Sequence, residues 1–160
     1  MAGRSTRSLD RTLTISDDLE NVLHRAFVGA CEAGHAMLTP EHVALELILE
    51  PEISTYLERC GTDLVAVESR LRAYLERIEH VSEDELETTP TATFQRLMNA
   101  AVQRTESDHR EYVMLRDVFL AILDERRTIA SSAIVEATRD TAAFEELRRF
   151  RSDKEQRGAA

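Results

Sequence analysis

Residues 19–30, LENVLHRAFVGA, return 75 positions later as residues 94–105, FQRLMNAAVQRT. Few letters are shared, but residue type survives: Leu19, Val22, Leu23, Ala26 and Phe27 become Phe94, Leu97, Met98, Ala101 and Val102. The correspondence continues without a gap through Leu38/Val113, Val43/Val118, Leu45/Leu120, Leu47/Ile122 and Ile48/Leu123. In each copy the apolar residues recur at i, i+3, i+4, i+7 and i+8, the spacing of a helix that buries one stripe. A unit this long, present twice, describes a duplicated helical subdomain whose halves bury their apolar faces against each other.

Start and stop signals divide each half into four helices. Ser16 is an N-cap residue followed by Asp17 and Asp18, which complement the positive end of a helix dipole. Thr39-Pro40-Glu41-His42 is a sharper start, with the cap, a proline at the first helical position and a carboxylate at the second. Pro51 ends or redirects that helix; a short third helix carries Tyr56, Leu57 and Cys60 and closes at Gly61. Thr62 is expected to cap a fourth, with Leu64, Val67, Leu71, Tyr74, Leu75 and Ile78 inward. The second half opens on Thr89-Pro90-Thr91 and places further helices at about Leu115–Asp124, Ile129–Ala137 and Asp140–Phe150. No alternating apolar and polar run of useful length occurs, so the expected fold is all-α, an eight-helix bundle of two pseudo-symmetric four-helix repeats. The expected boundaries are a flexible basic leader at 1–15, repeat one at 16–78, an exposed acidic connector at 79–89, repeat two at 90–150, and a polar tail at 151–160.

The 160 residues suffice for one domain, and a net charge of −10 opposes general nucleic-acid binding, which needs a basic face. The leader carries Arg4, Arg7 and Arg11 but no continuous apolar run of a secretory signal, and no stretch has the apolar length of a membrane span. Cys31 and Cys60 show no metal-ligand or redox spacing and read as buried or partly buried thiols. These features predict a cytoplasmic protein, monomeric as an isolated domain, with no nucleic-acid or membrane partner. The chain has no phosphate-cradling glycine loop, nucleophile elbow or H-E-x-x-H, and its five glycines and five histidines are scattered. No cofactor and no catalytic residue is expected. The metal candidates are His35 and His42, with Glu32 as a third ligand across the first interhelical loop.

The halves differ where a partner would touch them. Thr39-Pro40-Glu41-His42 corresponds to Met114-Leu115-Arg116-Asp117, so one half starts its second helix with a carboxylate and the other with a guanidinium. Glu41 is expected to be exposed, either binding a partner or stabilising its own helix through the dipole.

Ala26-Phe27, Glu32, His35, Leu38-Thr39-Pro40-Glu41-His42 and Leu57-Glu58-Arg59-Cys60-Gly61-Thr62-Asp63-Leu64, with Thr89-Pro90-Thr91-Ala92-Thr93-Phe94-Gln95-Arg96 in the second half, resemble the amino-terminal Clp repeat domain of Clp-family ATP-dependent unfoldases, the ClpA type above all. The likeness covers about residues 16–150. It implies a non-catalytic module that docks adaptors or substrates, with a ClpS-like adaptor as the partner of ClpA-type domains. It places Ser16, Thr39, Glu41, His42, Thr91 and Arg116 at the recognition surface. In the related ClpC type the matching glutamate and the helix-starting hydroxyl of each half bind phosphoarginine. Here Ser16 and Glu41 keep one such pair, whereas Thr91 faces Arg116 in the other, which opposes a two-site reader. The alternative expectation is a stand-alone regulator or sensor of phosphoarginine or another small ligand. No ATPase module with Walker motifs follows residue 150, so the chain reads either as a free-standing module or as the recognition domain of a longer protein.

Overall fold

The computed structural model describes residues 14–82 and 87–148. Helices α1 (Asp17–Glu32), α2 (Pro40–Leu47), α3 (Pro51–Arg59) and α4 (Leu64–Leu75) form the first half. The second half holds α5 (Ala92–Ser107), α6 (Leu115–Asp124), α7 (Ile129–Glu136) and a helix α8 at 142–148. The all-α reading therefore holds, with four two-residue strands added: β1 (Thr14–Ile15), β2 (Met37–Leu38), β3 (Thr89–Pro90) and β4 (Tyr112–Val113). Two-residue strands leave no alternation in a sequence to detect. No helix among the described residues is long and apolar enough to cross a membrane.

The strands pair crosswise. β1 of the first half lies parallel to β4 of the second, and β3 of the second lies parallel to β2 of the first. Each pairing delivers the chain to a helix start: Ser16 N–H donates to Val113 O at 2.9 Å, and Thr91 N–H donates to Leu38 O at 3.0 Å. The same reciprocity recurs at the other end, where Asp63 N–H donates to Ala137 O and Arg139 N–H donates to Gly61 O. Between them the Thr62 and Thr138 hydroxyls meet at 2.7 Å, each side chain buried. Thr62 thus does not cap α4; Asp63 does, accepting from Ala66 N–H at 3.1 Å, because Thr62 is turned inward onto its counterpart. Gly61 at φ +75° belongs to this meeting point: a Cβ there would lie 3.1 Å from Arg139 Cβ.

Leu19, Val22, Ala26, Leu38, Val43, Leu45 and Leu47 are buried, as are their second-half counterparts Leu97, Ala101, Val113, Val118, Leu120 and Ile122. Helices α2 and α6 run through the middle, with only Glu46 of α2 and Arg116 and Asp124 of α6 not buried. Phe119, which takes the place of Ala44, packs against Tyr56 and Phe144 with ring centroids 6.2 and 6.1 Å away, joining α6 to α3 and α8.

Several expectations are corrected. Phe27 leaves the buried stripe and is 44% exposed, because the stripe on α1 closes on Val22, Ala26 and Ala30. Cys31 is exposed, whereas Cys60 is buried. Thr14 and Ile15 belong to β1, not to a flexible leader. The connector is tied down at both ends, with Ala36 N–H donating to Glu79 O, Val81 N–H to Gly34 O, and Thr88 Oγ1 to His35 O. The remaining leader, residues 83–86 of the connector, and the tail lie outside the described residues.

Thr138 Oγ1 donates to Ile134 O at 2.6 Å, so it must accept the Thr62 hydroxyl proton. Thr62→Val is therefore expected to cost about 1–2 kcal/mol by removing that donor, and the Thr62→Val/Thr138→Val pair less than the sum of the singles. Urea denaturation of the four proteins measures this coupling, and additive losses would contradict it.

Candidate functional site

The expected site residues separate into a surface set and a buried set. Ser16 accepts from Leu19 N–H at 3.3 Å and Thr91 from Phe94 N–H at 3.1 Å, so these equivalent hydroxyls cap α1 and α5 beside the two ribbons. Both are partly exposed. The ribbons also present apolar side chains to solvent: Ile15 is 37% exposed, Met37 39%, Tyr112 50%, and Met114 just after β4 42%. Alternation along β4 sends Tyr112 and Met114 outward and Val113 into the core. Exposed Tyr and Met beside cap hydroxyls form the kind of surface enriched where proteins dock.

Thr39, Glu41 and His42 do not belong to it, since each is 5% exposed or less. The expected exposed carboxylate of Glu41 is a buried one. Its Oε2 accepts from Ala130 N–H at 3.1 Å, in the first turn of α7, with the Thr39 and Tyr74 hydroxyls as further partners. α7 brings no acidic residue in its first turn, so a carboxylate from the other half answers its orphan N–H groups and dipole. Burial raises the Glu41 carboxyl above its ordinary range, against the lowering effect of these hydrogen bonds. On the symmetric side α3 has its own first-turn acid, Glu52, and Arg116 pairs with it at 3.4 Å on the surface. The exchange of charge between the halves follows what each facing helix start already carries.

His35 and His42 do come together, with Nδ1 of His35 2.8 Å from Nε2 of His42. His42 Nδ1 accepts Thr39 N–H at 3.0 Å, so His42 carries its proton on Nε2 and donates it to His35. The pair is a neutral relay that caps α2. An ion bound to both nitrogens at about 2.0–2.1 Å would need them further apart, and among the described residues no group of three or more metal-ligating side chains is gathered. Glu32 has no part in the relay. The second-half counterparts are Arg110 and Asp117. Asp117 accepts Met114 N–H at 2.8 Å, as His42 accepts Thr39 N–H, and is held by Arg110 at 2.6 and 3.0 Å. Sequence reading passed over this pair, although comparing polar positions across the offset of 75 puts 35 with 110 and 42 with 117.

The chain matches the model of the Clp repeat (R) N-terminal domain over residues 14–137. It belongs to that family. The "ClpA homolog protein" of Fuscovulum blasticum is 31% identical over 121 residues, which are 74% of this chain and 15% of the relative. Two solved Clp-type N-terminal domains share the fold. That of Hsp104 from Candida albicans superposes with a TM-score of 0.63 at 16% identity, covering 77% of this chain and 90% of the other. That of the ClpV1 ATPase from E. coli EAEC superposes with a TM-score of 0.70 at 16% identity, covering 92% and 91%. The Clp N-terminal domain is a non-catalytic part of larger ATPases, and the architecture described above is that domain's.

Glu41→Arg would bury an unpaired guanidinium at a helix start and is expected to cost about 3–5 kcal/mol in urea denaturation, with Glu41→Gln well below that. Burial lowers His35 and lowers His42 to about 4, against an unfolded value of about 6.5. Between those values the unfolded chain takes up protons first, so the stability present above about pH 6.5 falls as the pH drops towards 4, by up to about 3 kcal/mol. Glu41, raised, contributes with the opposite sign and is present in both proteins compared. His35→Arg/His42→Asp copies the second half's pair and is expected to flatten the urea midpoint across that window.

Proposed function

We propose that this chain is the recognition module of a Clp-type unfoldase, docking an adaptor or substrate polypeptide at the face made by Ser16, Thr91 and the outward side chains of the crossed ribbons. The observation that carries this reading is the exposure of Ile15, Met37, Tyr112 and Met114 on backbone held rigid by pairing between the halves. Large apolar side chains on fixed backbone lose little entropy on binding. A ClpS-like adaptor is the partner the ClpA likeness favours. Thr39, Glu41 and His42 serve this surface from beneath, by fixing the start of α2, and Arg116 lies elsewhere, on Glu52. The phosphoarginine alternative loses support, since the carboxylate it would require is occupied by Ala130, Thr39 and Tyr74.

Titration of the purified chain against a ClpS-like adaptor by calorimetry tests the proposal. Tyr112→Ser/Met114→Ser is expected to weaken binding at least tenfold while leaving the urea midpoint nearly unchanged, since both side chains are exposed. Absence of binding by the unaltered chain, or equal binding by the double variant, would overturn the assignment of this face.

A further inference from the structure

A cleft of about 360 Å³ opens in the first half between α1, α2 and α4, lined by Gly29 and Ala33 on one side, Leu45 and Glu46 on the second, and Leu75 and Glu76 on the third, with His35 and His42 also against it. It is distinct from the ribbon face. Its size falls in the ligand-pocket range of about 300–1,000 Å³. Its origin is legible from the duplication. At the offset of 75, Gly29 and Ala33 stand where the second half has Arg104 and Asp108. A Cβ at Gly29 would meet nothing within 4 Å, so the glycine is not required for packing and leaves room beside α1.

The second half shows what fills the equivalent place. Between α5, α6 and α8 the Arg104 guanidinium reaches Asp124 at 2.9 Å, Arg148 reaches the same carboxylate at 2.7 Å, and Arg110 lies on Asp117 and Asp108. Three arginine side chains stitch those helices together. In the first half none of these arginines has a counterpart among the residues matched without a gap, but two others, Arg25 and Arg72, line the cleft beside Glu46 and Glu76. Arg25 is shared between Glu46, at 3.1 Å, and Glu50, and Arg72 is matched by Glu68, so the carboxylates around the cleft outnumber its arginines. Glu76 adds a further carboxylate, and the imidazole pair is held neutral by burial.

The geometry points to this cleft as a second binding site, taking the arginine side chain of an extended partner polypeptide in the place that the second half fills with its own arginines. Leu45 and Leu75 accept the methylene stem, Glu76 faces the guanidinium, and Glu46 is drawn from Arg25, which keeps Glu50.

The probe is acetyl-Ala-Ala-Arg-Ala-Ala-amide added to the ¹⁵N-labelled chain, with the citrulline peptide as the neutral isostere. Saturable shifts are expected at the Gly29, Ala33 and Leu75 amides, with citrulline at least tenfold weaker. Gly29→Arg, which rebuilds the second half's arrangement on an exposed helical position, is expected to abolish them, while Val65→Ser, exposed on α4 and outside the cleft, binds within about twofold of the unaltered chain. Glu76→Gln, which breaks no ion pair described above, is expected to weaken binding at least fivefold without disturbing the spectrum. Shifts absent at millimolar peptide, equal for citrulline, or retained in Gly29→Arg would overturn the site. Free arginine binding as tightly as the peptide would overturn a polypeptide as occupant, and so would the same shifts appearing on raising protein concentration without peptide, which would assign the cleft to a second copy. None of these readings depends on the adaptor titration, so either site can fail alone.

Discussion

The structure depends on the crossing of its strands. Each first helix begins only where the other half supplies a strand for the preceding residues, at Val113 for Ser16 and at Leu38 for Thr91. A two-residue ribbon provides few hydrogen bonds, but it fixes both the entry angle of a helix and the solvent-facing side of the backbone around it. The burial of α2 and α6 on nearly every side follows from this exchange, since each central helix is covered by elements of both halves.

What the sequence made legible was the repetitive part. Core positions such as Ala26/Ala101 and Val43/Val118 recur because a helix of fixed pitch must return an apolar side chain to the same stripe, and that constraint leaves a period. The polar interior leaves none. Glu41 bonds Ala130, and nothing near Glu41 in sequence indicates that a helix start 89 residues later lacks its own acid. The ribbons escaped notice for a related reason, since two residues cannot display a period of two. Thr62 reads as a cap because Ser and Thr before an apolar run usually are, yet tertiary contact with Thr138 outweighs that local preference and passes the cap to Asp63.

The departures from symmetry share one logic. Where the halves pack by shape alone, duplication is preserved; where charge is buried, one half compensates for the other. Asp117 with Arg110 and His42 with His35 perform the same task, accepting the N–H that precedes a central helix, once as an ion pair and once as a neutral relay. The ionic version brings the charge complement of its surroundings with it, whereas the neutral one leaves neighbouring positions such as Gly29 and Ala33 small. The polar interior, more than the core, therefore determines how the two halves come to offer different surfaces on a common frame.

The crossed ribbons also bear on how the chain reaches its fold during synthesis. β1 cannot pair until residues 112–113 have been made, so the first half leaves the ribosome with the start of α1 unsecured and α2 still lacking the cover of α6 and α7. At about 5–20 residues per second this interval lasts on the order of seconds. Throughout it, Val43, Leu45, Leu47 and Ile48 lack part of their native cover, and the closing step joins segments nearly a hundred residues apart. A duplicated fold that exchanges strands between its halves thus matures only when its second copy arrives.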